Sequence, residues 1–190
     1  MSLATPASVQ KLQTALQAKA KESPGFRFYA LYDKVNRKDV LAYAYECCKA
    51  NGGGAGVDGQ RFEDIEAYGV ERWRDELAQE LKSRTYQPLP VRRVYIPKPD
   101  GKQRPLGIPT IRDRVAQTSA MLVLEAIFEA DLPKEQYAYR ADRSALDAVQ
   151  HVHKLINTGH GQIVDADLSS YLDMASYCPQ IHEVLSNRFG

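Results

Sequence analysis

Val91-Arg92-Arg93-Val94-Tyr95-Ile96-Pro97-Lys98-Pro99-Asp100-Gly101-Lys102-Gln103-Arg104-Pro105-Leu106-Gly107-Ile108 is the stretch from which the fold is read. β-Branched and aromatic residues on both sides of Pro99-Asp100-Gly101, a strong turn signal, predict a β-hairpin. Alternation puts Val94 and Ile96 on one side of the ribbon and Arg93 and Tyr95 on the other. Pro105 has no N–H to give to a second neighbour, which excludes a central strand and leaves an exposed two-stranded ribbon. Lys98 and Lys102 flank the turn and Arg104 stands on the return strand. Arginine offers bidentate contacts and lysine a mobile point charge, so the ribbon is able to close over a polyphosphate. Taken alone, it suits equally any basic hairpin that touches RNA.

Outward from the ribbon, the pattern is helical. Before it, Val70, Trp73, Leu77 and Leu81 keep helical spacing, and Trp73 reads as a core residue. Further upstream, Val9, Leu12, Leu16 and Ala20 predict a helix over 8–22, and Leu41, Tyr45 and Cys48 one over 37–50. Asn36 is the expected cap of the second, and Gly52-Gly53-Gly54 its stop. After the ribbon, 114–130 is a largely apolar helix expected to be buried on more than one side. Ser144 with Asp147 forms a capping box for a helix whose inner face is Ala145, Val149, Val152 and Ile156. The fold class is α+β, helix-rich with one basic β-hairpin.

The net charge of +1 hides an asymmetry. Lys82 to Arg114 holds nine basic residues against Asp100 and Asp113, enough to neutralise several phosphates. The preceding segment is acidic, with Glu63, Asp64, Glu66, Glu71, Asp75, Glu76 and Glu80. Charge alone leaves a solvated surface and a nucleic-acid face at even odds. Cys47, Cys48 and Cys178 have neither zinc nor disulfide-framework spacing and read as reduced structural thiols of a cytoplasmic protein. His151 and His153, two apart on a helix, point away from each other and make no metal pair. No secretory leader is read at Met1 to Gln10, and the longest apolar run, 120–128, is too short to cross a membrane.

Gly161-Gln162-Ile163-Val164-Asp165-Ala166-Asp167-Leu168 reads as a short buried strand with Asp165 and Asp167 on one face. Two such carboxylates suit a divalent cation. Spacing alone favours the plainer alternative, a strand-end aspartate that caps a helix or bonds a basic neighbour.

The order of the segments is more specific than any one of them. Tyr86 to Asp113 resembles the first fingers segment of group II intron reverse transcriptases. Gly54-Ala55-Gly56-Val57-Asp58-Gly59 resembles that family's entry motif, and Asp113-Arg114-Val115-Ala116-Gln117 continues the match. Gln136-Tyr137-Ala138-Tyr139-Arg140-Ala141-Asp142-Arg143-Ser144-Ala145 is similar to its Tyr-Gly-Phe-Arg-Pro-x-Arg-Ser block, and Asp165 to Asp173 to its motif A. The resemblance spans roughly residues 37 to 173.

That resemblance implies right-hand polymerase fingers with an incomplete palm: a helical extension over 1–36, fingers over 37–160, and the start of the palm over 161–190. It implies nucleotidyl transfer with two Mg²⁺ in the complete enzyme, which also takes an RNA template, primer DNA and a deoxynucleotide, with no membrane. By the match Asp167 is the catalytic, metal-binding carboxylate. The Leu168 carbonyl is a further ligand and Asp165 ranks second. Lys98 and Arg104 grip the triphosphate. Leu172 stands where the family has an aromatic wall of the sugar pocket, which implies weaker exclusion of ribonucleotides. Arg92, Arg93, Lys102, Arg112 and Arg114 are expected to meet nucleic acid, and Arg140 and Arg143 either the template backbone or the fingers themselves. Ala141-Asp142 departs from the family's Pro-Gly, and after Asp173 the match stops. These residues hold no Tyr-x-Asp-Asp and match no thumb, so the chain is expected to be the front part of such an enzyme, unable to copy RNA alone. The competing expectation is a non-catalytic, maturase-like module that binds intron RNA and assists splicing.

Overall fold

The structure, a computed structural model, describes residues 3–97, 99, 101–140 and 142–166. Seven helices and one hairpin are assigned among them: α1 (Ala7–Glu22), α2 (Tyr32–Val35), α3 (Lys38–Asn51), α4 (Phe62–Tyr68), α5 (Val70–Ser83), β1 (Arg92–Pro97), β2 (Gln103–Ile108), α6 (Ile111–Asp131) and α7 (Ala145–Asn157). The architecture is α+β and helix-rich, with one two-stranded antiparallel sheet. The chain divides into two compact units, residues 1–19 with 30–127, and residues 20–29 with 128–190.

The first unit is built on α3, α5 and the front of α6. Helical spacing on α3 buries Val40, Leu41, Ala44, Tyr45 and Cys48 along one stripe, while α5 buries Trp73, Leu77 and Leu81. Each fully buried side chain of this size stabilises by about 1.5–3 kcal/mol. The Tyr45 ring lies 5.7 Å from Phe62 and 5.9 Å from Trp73, so α3, α4 and α5 share one aromatic cluster. The indole N–H of Trp73 donates to Gln60 Oε1 at 3.3 Å, satisfying the polar edge of an otherwise buried ring. α6 buries Ile111, Val115, Leu122 and Val123, whereas Met121 is exposed. Its solvent side is wider than the apolar composition predicts. Burial pushes the Cys48 thiol up, and its sulfur lies 3.3 Å from Thr118 Oγ1 on α6.

Two boundaries differ from the sequence reading. α3 is capped at Arg37 rather than Asn36. Asp39, in the first turn of α3, takes the Arg37 guanidinium at 2.7 and 2.9 Å, which holds its carboxyl below the usual range. Between Gly59 and Val70, where the sequence predicts no element, lies α4, whose start is fixed by Asp64 accepting the Arg61 N–H at 2.8 Å. Gly69, at φ 106°, makes the corner between α4 and α5. The left-handed Gly52, at φ 64°, stops α3 as its sequence predicts.

In the second unit, Ser144 and Asp147 cap α7 reciprocally: the Ser144 hydroxyl accepts the Asp147 N–H, and the Asp147 carboxylate accepts the Ser144 N–H at 2.8 Å. The expected inner face of α7 is not buried. Val149 is 63% exposed, with Val152 and Ile156 also exposed, and α7 buries no residue among those described. The two α7 histidines diverge as their spacing predicts. His151 Nδ1 meets the Tyr137 hydroxyl at 2.8 Å, and His153 lies beside Asn157. Over 161–166 the expected buried strand is absent: these residues have no regular structure, and Ile163 and Val164 are 76% and 92% exposed. The two strands assigned pair with each other, so 161–166 has no strand to join among the described residues.

Candidate nucleic-acid interface

The ribbon forms where β-branched and aromatic residues meet a glycine turn. Gly101 takes φ 79°, a conformation other residues adopt at a cost. Antiparallel pairing sets Arg92 opposite Ile108, Val94 opposite Leu106 and Ile96 opposite Arg104. Arg92 and Arg104 therefore share one face with Val94, Ile96 and Leu106. Arg93 and Tyr95 share the other with Gly107 and Pro105. Apart from the half-buried Val94 and Ile108, every described residue of the two strands is exposed. Among the described residues, Arg92, Arg93 and Arg104 have no ion-pair partner. Lys102 is exposed beside the turn.

Three of the other basic residues expected to meet nucleic acid, Arg112, Arg114 and Arg140, turn inward. Arg112 pairs with Glu80 at 2.6 Å and lies over the Trp73 ring at 6.0 Å. Arg114 donates to the carbonyl of Gly52 at 2.8 Å and of Gly54 at 3.0 Å, with its guanidinium 5.7 Å from the Phe62 ring. It thereby ties α6 to the glycine loop that ends α3. In the second unit Arg140 is clamped by Glu129 and by the carbonyls of Pro133, at 2.7 Å, and Gln136, at 3.3 Å. Arg143 is exposed, 5.4 Å from the Tyr137 ring.

The glycine loop supports the base of the ribbon. A Cβ on Gly56 would lie 2.6 Å from Thr110 Cα, so only glycine fits against that backbone. Thr110 and Asp113 start α6 three residues before the predicted Arg114: the Thr110 hydroxyl accepts the Asp113 N–H at 3.1 Å and donates to its carboxylate at 2.7 Å. Asp113 is 2% exposed and also accepts from the Tyr86 hydroxyl and the Leu89 N–H. Burial first, then the bond to Asp113, pushes the Tyr86 phenol far above its usual range. Sequence reasoning counted Asp113 as a charge and as part of the family match, not as a helix cap. The Thr110-x-x-Asp113 spacing ahead of an apolar run was the signal for its role.

Asp165 is exposed in the irregular segment 161–166. Asp167, Leu168, Leu172 and Lys98 lie outside the described residues. Among the described residues no group of three or more His, Cys, Asp or Glu is placed to hold a metal ion, and no helix is long and apolar enough to cross a membrane.

No protein-family model matches the chain. It is 38% identical to Protein YkfC of Escherichia coli K12 over 173 residues, which are 87% of this chain and 45% of that protein. It is 32% identical to the group II intron-encoded protein LtrA of Lactococcus lactis subsp. cremoris over 147 residues, 77% of this chain and 24% of that protein. The putative COX1/OXI3 intron 1 protein of Saccharomyces cerevisiae is 27% identical over 139 residues, 73% of this chain and 16% of that protein. The chain thus spans less than half the length of these relatives. It is a homologue of the group II intron-encoded proteins, matching part of their length.

Proposed function

We propose that this chain forms the fingers of a group II intron-type reverse transcriptase with the right-hand polymerase fold, and that its basic ribbon grips the backbone of RNA. The observation that carries this reading is the division of labour among the arginines. Arg112, Arg114 and Arg140 are used up inside the protein, while Arg92, Arg93 and Arg104 stand exposed on a ribbon with no ion-pair partner among the described residues. Guanidinium groups held on a two-stranded ribbon suit phosphate oxygens, and the exposed Tyr95 offers a ring to an unstacked base.

In the complete enzyme, Lys98 and Arg104 would hold the triphosphate, Leu172 would line the sugar pocket, and Asp167, the Leu168 carbonyl and Asp165 would hold Mg²⁺. Hard oxygen donors of this kind suit that ion, which would supply charge stabilisation to the attacking and leaving oxygens. RNA template, primer DNA and deoxynucleotide are its partners. A second reading, the non-catalytic module that helps intron RNA fold for splicing, draws on the same ribbon, which needs no active site to hold RNA.

The test is a salt titration of binding to a labelled single-stranded RNA. Arg92, Arg93 and Arg104 together contribute about −2 to the log–log slope for a single strand, and the triple substitution R92Q/R93Q/R104Q should flatten it by that amount. Binding that ignores both salt and the triple substitution refutes the proposal. Primer extension is measured on the same protein, and detectable extension would refute the reading of these residues as a part that cannot copy RNA alone. With no Tyr-x-Asp-Asp among the 190 residues, none is expected.

A further inference from the structure

Both legs of the ribbon converge on one buried carboxylate. The segment leading into β1 contributes the Tyr86 hydroxyl and the Leu89 N–H, at 3.3 Å, to Asp113. The segment leaving β2 contributes the Thr110 hydroxyl, at 2.7 Å, to the same group. Three donors thus meet two oxygens, and Asp113 itself sits in the first turn of α6, fixed to the core by Ile111 and Val115. Residues 87–90 make no hydrogen bond to another backbone group among the described residues, so the Leu89–Asp113 bond is what holds that leg at its middle.

An isolated two-stranded ribbon is marginal in water, and the direction in which it projects is set at its base. Here Pro88, Pro90 and Pro109 stiffen the legs by fixing φ, and the carboxylate supplies the link between them. Tyr86 has its phenol held protonated, so it remains a donor throughout the neutral range.

We propose that Asp113 is a positioning residue, joining the two legs so that the ribbon arginines meet successive phosphates together. This rests on the reading of the ribbon as an RNA grip. D113N keeps the volume but replaces one acceptor oxygen with a donor. Y86F removes one donor and leaves the carboxylate intact, and it serves if D113N does not fold.

Three measurements on the whole chain test the proposal: RNA affinity, amide hydrogen exchange of the ribbon against α5, and the combination of each variant with R104Q. D113N should weaken RNA binding on the order of tenfold, the cost of one unmade buried hydrogen bond, with Y86F weaker in the same direction. Ribbon amides should exchange faster while α5 keeps its protection. R104Q should cost less in the D113N background than in the wild type, because the arginine is already misaligned. Additive effects, or exchange that rises equally in ribbon and α5, would reduce Asp113 to general stability and overturn the proposal. Unchanged ribbon exchange in both variants would also overturn it. If the wild type binds no RNA, the RNA reading fails, and the exchange comparison still decides whether Asp113 holds the ribbon.

Discussion

Replacing Gly56 with alanine adds one methyl group against backbone that has no room for it. The new Cβ would lie 2.6 Å from Thr110 Cα, 2.7 Å from Thr110 N and 3.0 Å from the Pro109 carbonyl carbon. Ordinary carbon contacts are about 3.5–4.0 Å, so the overlap is about 1 Å. The atoms it meets belong to the main chain between β2 and α6, not to a side chain able to swing aside. Relief requires moving Thr110, which also carries the hydroxyl that caps α6. Backbone shifts forced by overpacking cost about 1–3 kcal/mol, and the disturbed cap places Gly56→Ala near the upper end. For a chain of this size that is about 4–10 °C in Tm. Two controls isolate the cause. Gly54→Ala meets only the far end of the Arg92 guanidinium, at 3.1 Å, and Gly25→Ala has nothing within 4 Å. None of the three glycines has positive φ, so backbone strain does not separate them. Urea melts of the three variants should show Gly56→Ala destabilised by about 2–3 kcal/mol at unchanged m and the controls within about 0.5 kcal/mol of the wild type. Gly56→Ala as stable as Gly25→Ala would refute the packing argument.

Thr110→Ala should cost about 2 kcal/mol by removing a buried cap, and Thr110→Ser, which keeps the hydroxyl, should recover most of it; equal losses would mean that the methyl matters and the cap does not. The folded protein holds the Tyr86 proton more tightly than the unfolded chain does. Its stabilisation is therefore intact below about pH 10 and is lost as pH rises past that value. Tyr86→Phe should flatten the alkaline limb of a stability–pH curve, and an unchanged limb would show that another group controls it.

Elements carried by strong local patterns were legible before any coordinates. The β1–β2 hairpin followed from alternation around a glycine turn, α5 from Val70, Trp73, Leu77 and Leu81, and the α7 start from Ser144 and Asp147. α4 was missed because seven residues with one buried side chain, Ile65, carry almost no periodicity. The strand expected over 161–168 shows why an apolar run does not suffice. A strand forms only against a hydrogen-bonding neighbour, and a sequence window says nothing about whether one is present.

By itself the sequence determined the helix-rich α+β composition, the basic ribbon and the kinship with group II intron-encoded proteins, because each is written in residue order or local spacing. Tertiary structure alone decided which charges are available. Nothing local distinguishes Arg104 from Arg114, yet one is exposed on a strand while the other is spent on two glycine carbonyls about sixty residues away in sequence. A side chain's partners are set by what the fold brings beside it. For the same reason Asp113, read from the sequence as an acid in a basic stretch and a part of the family match, becomes the group on which both legs of the ribbon meet.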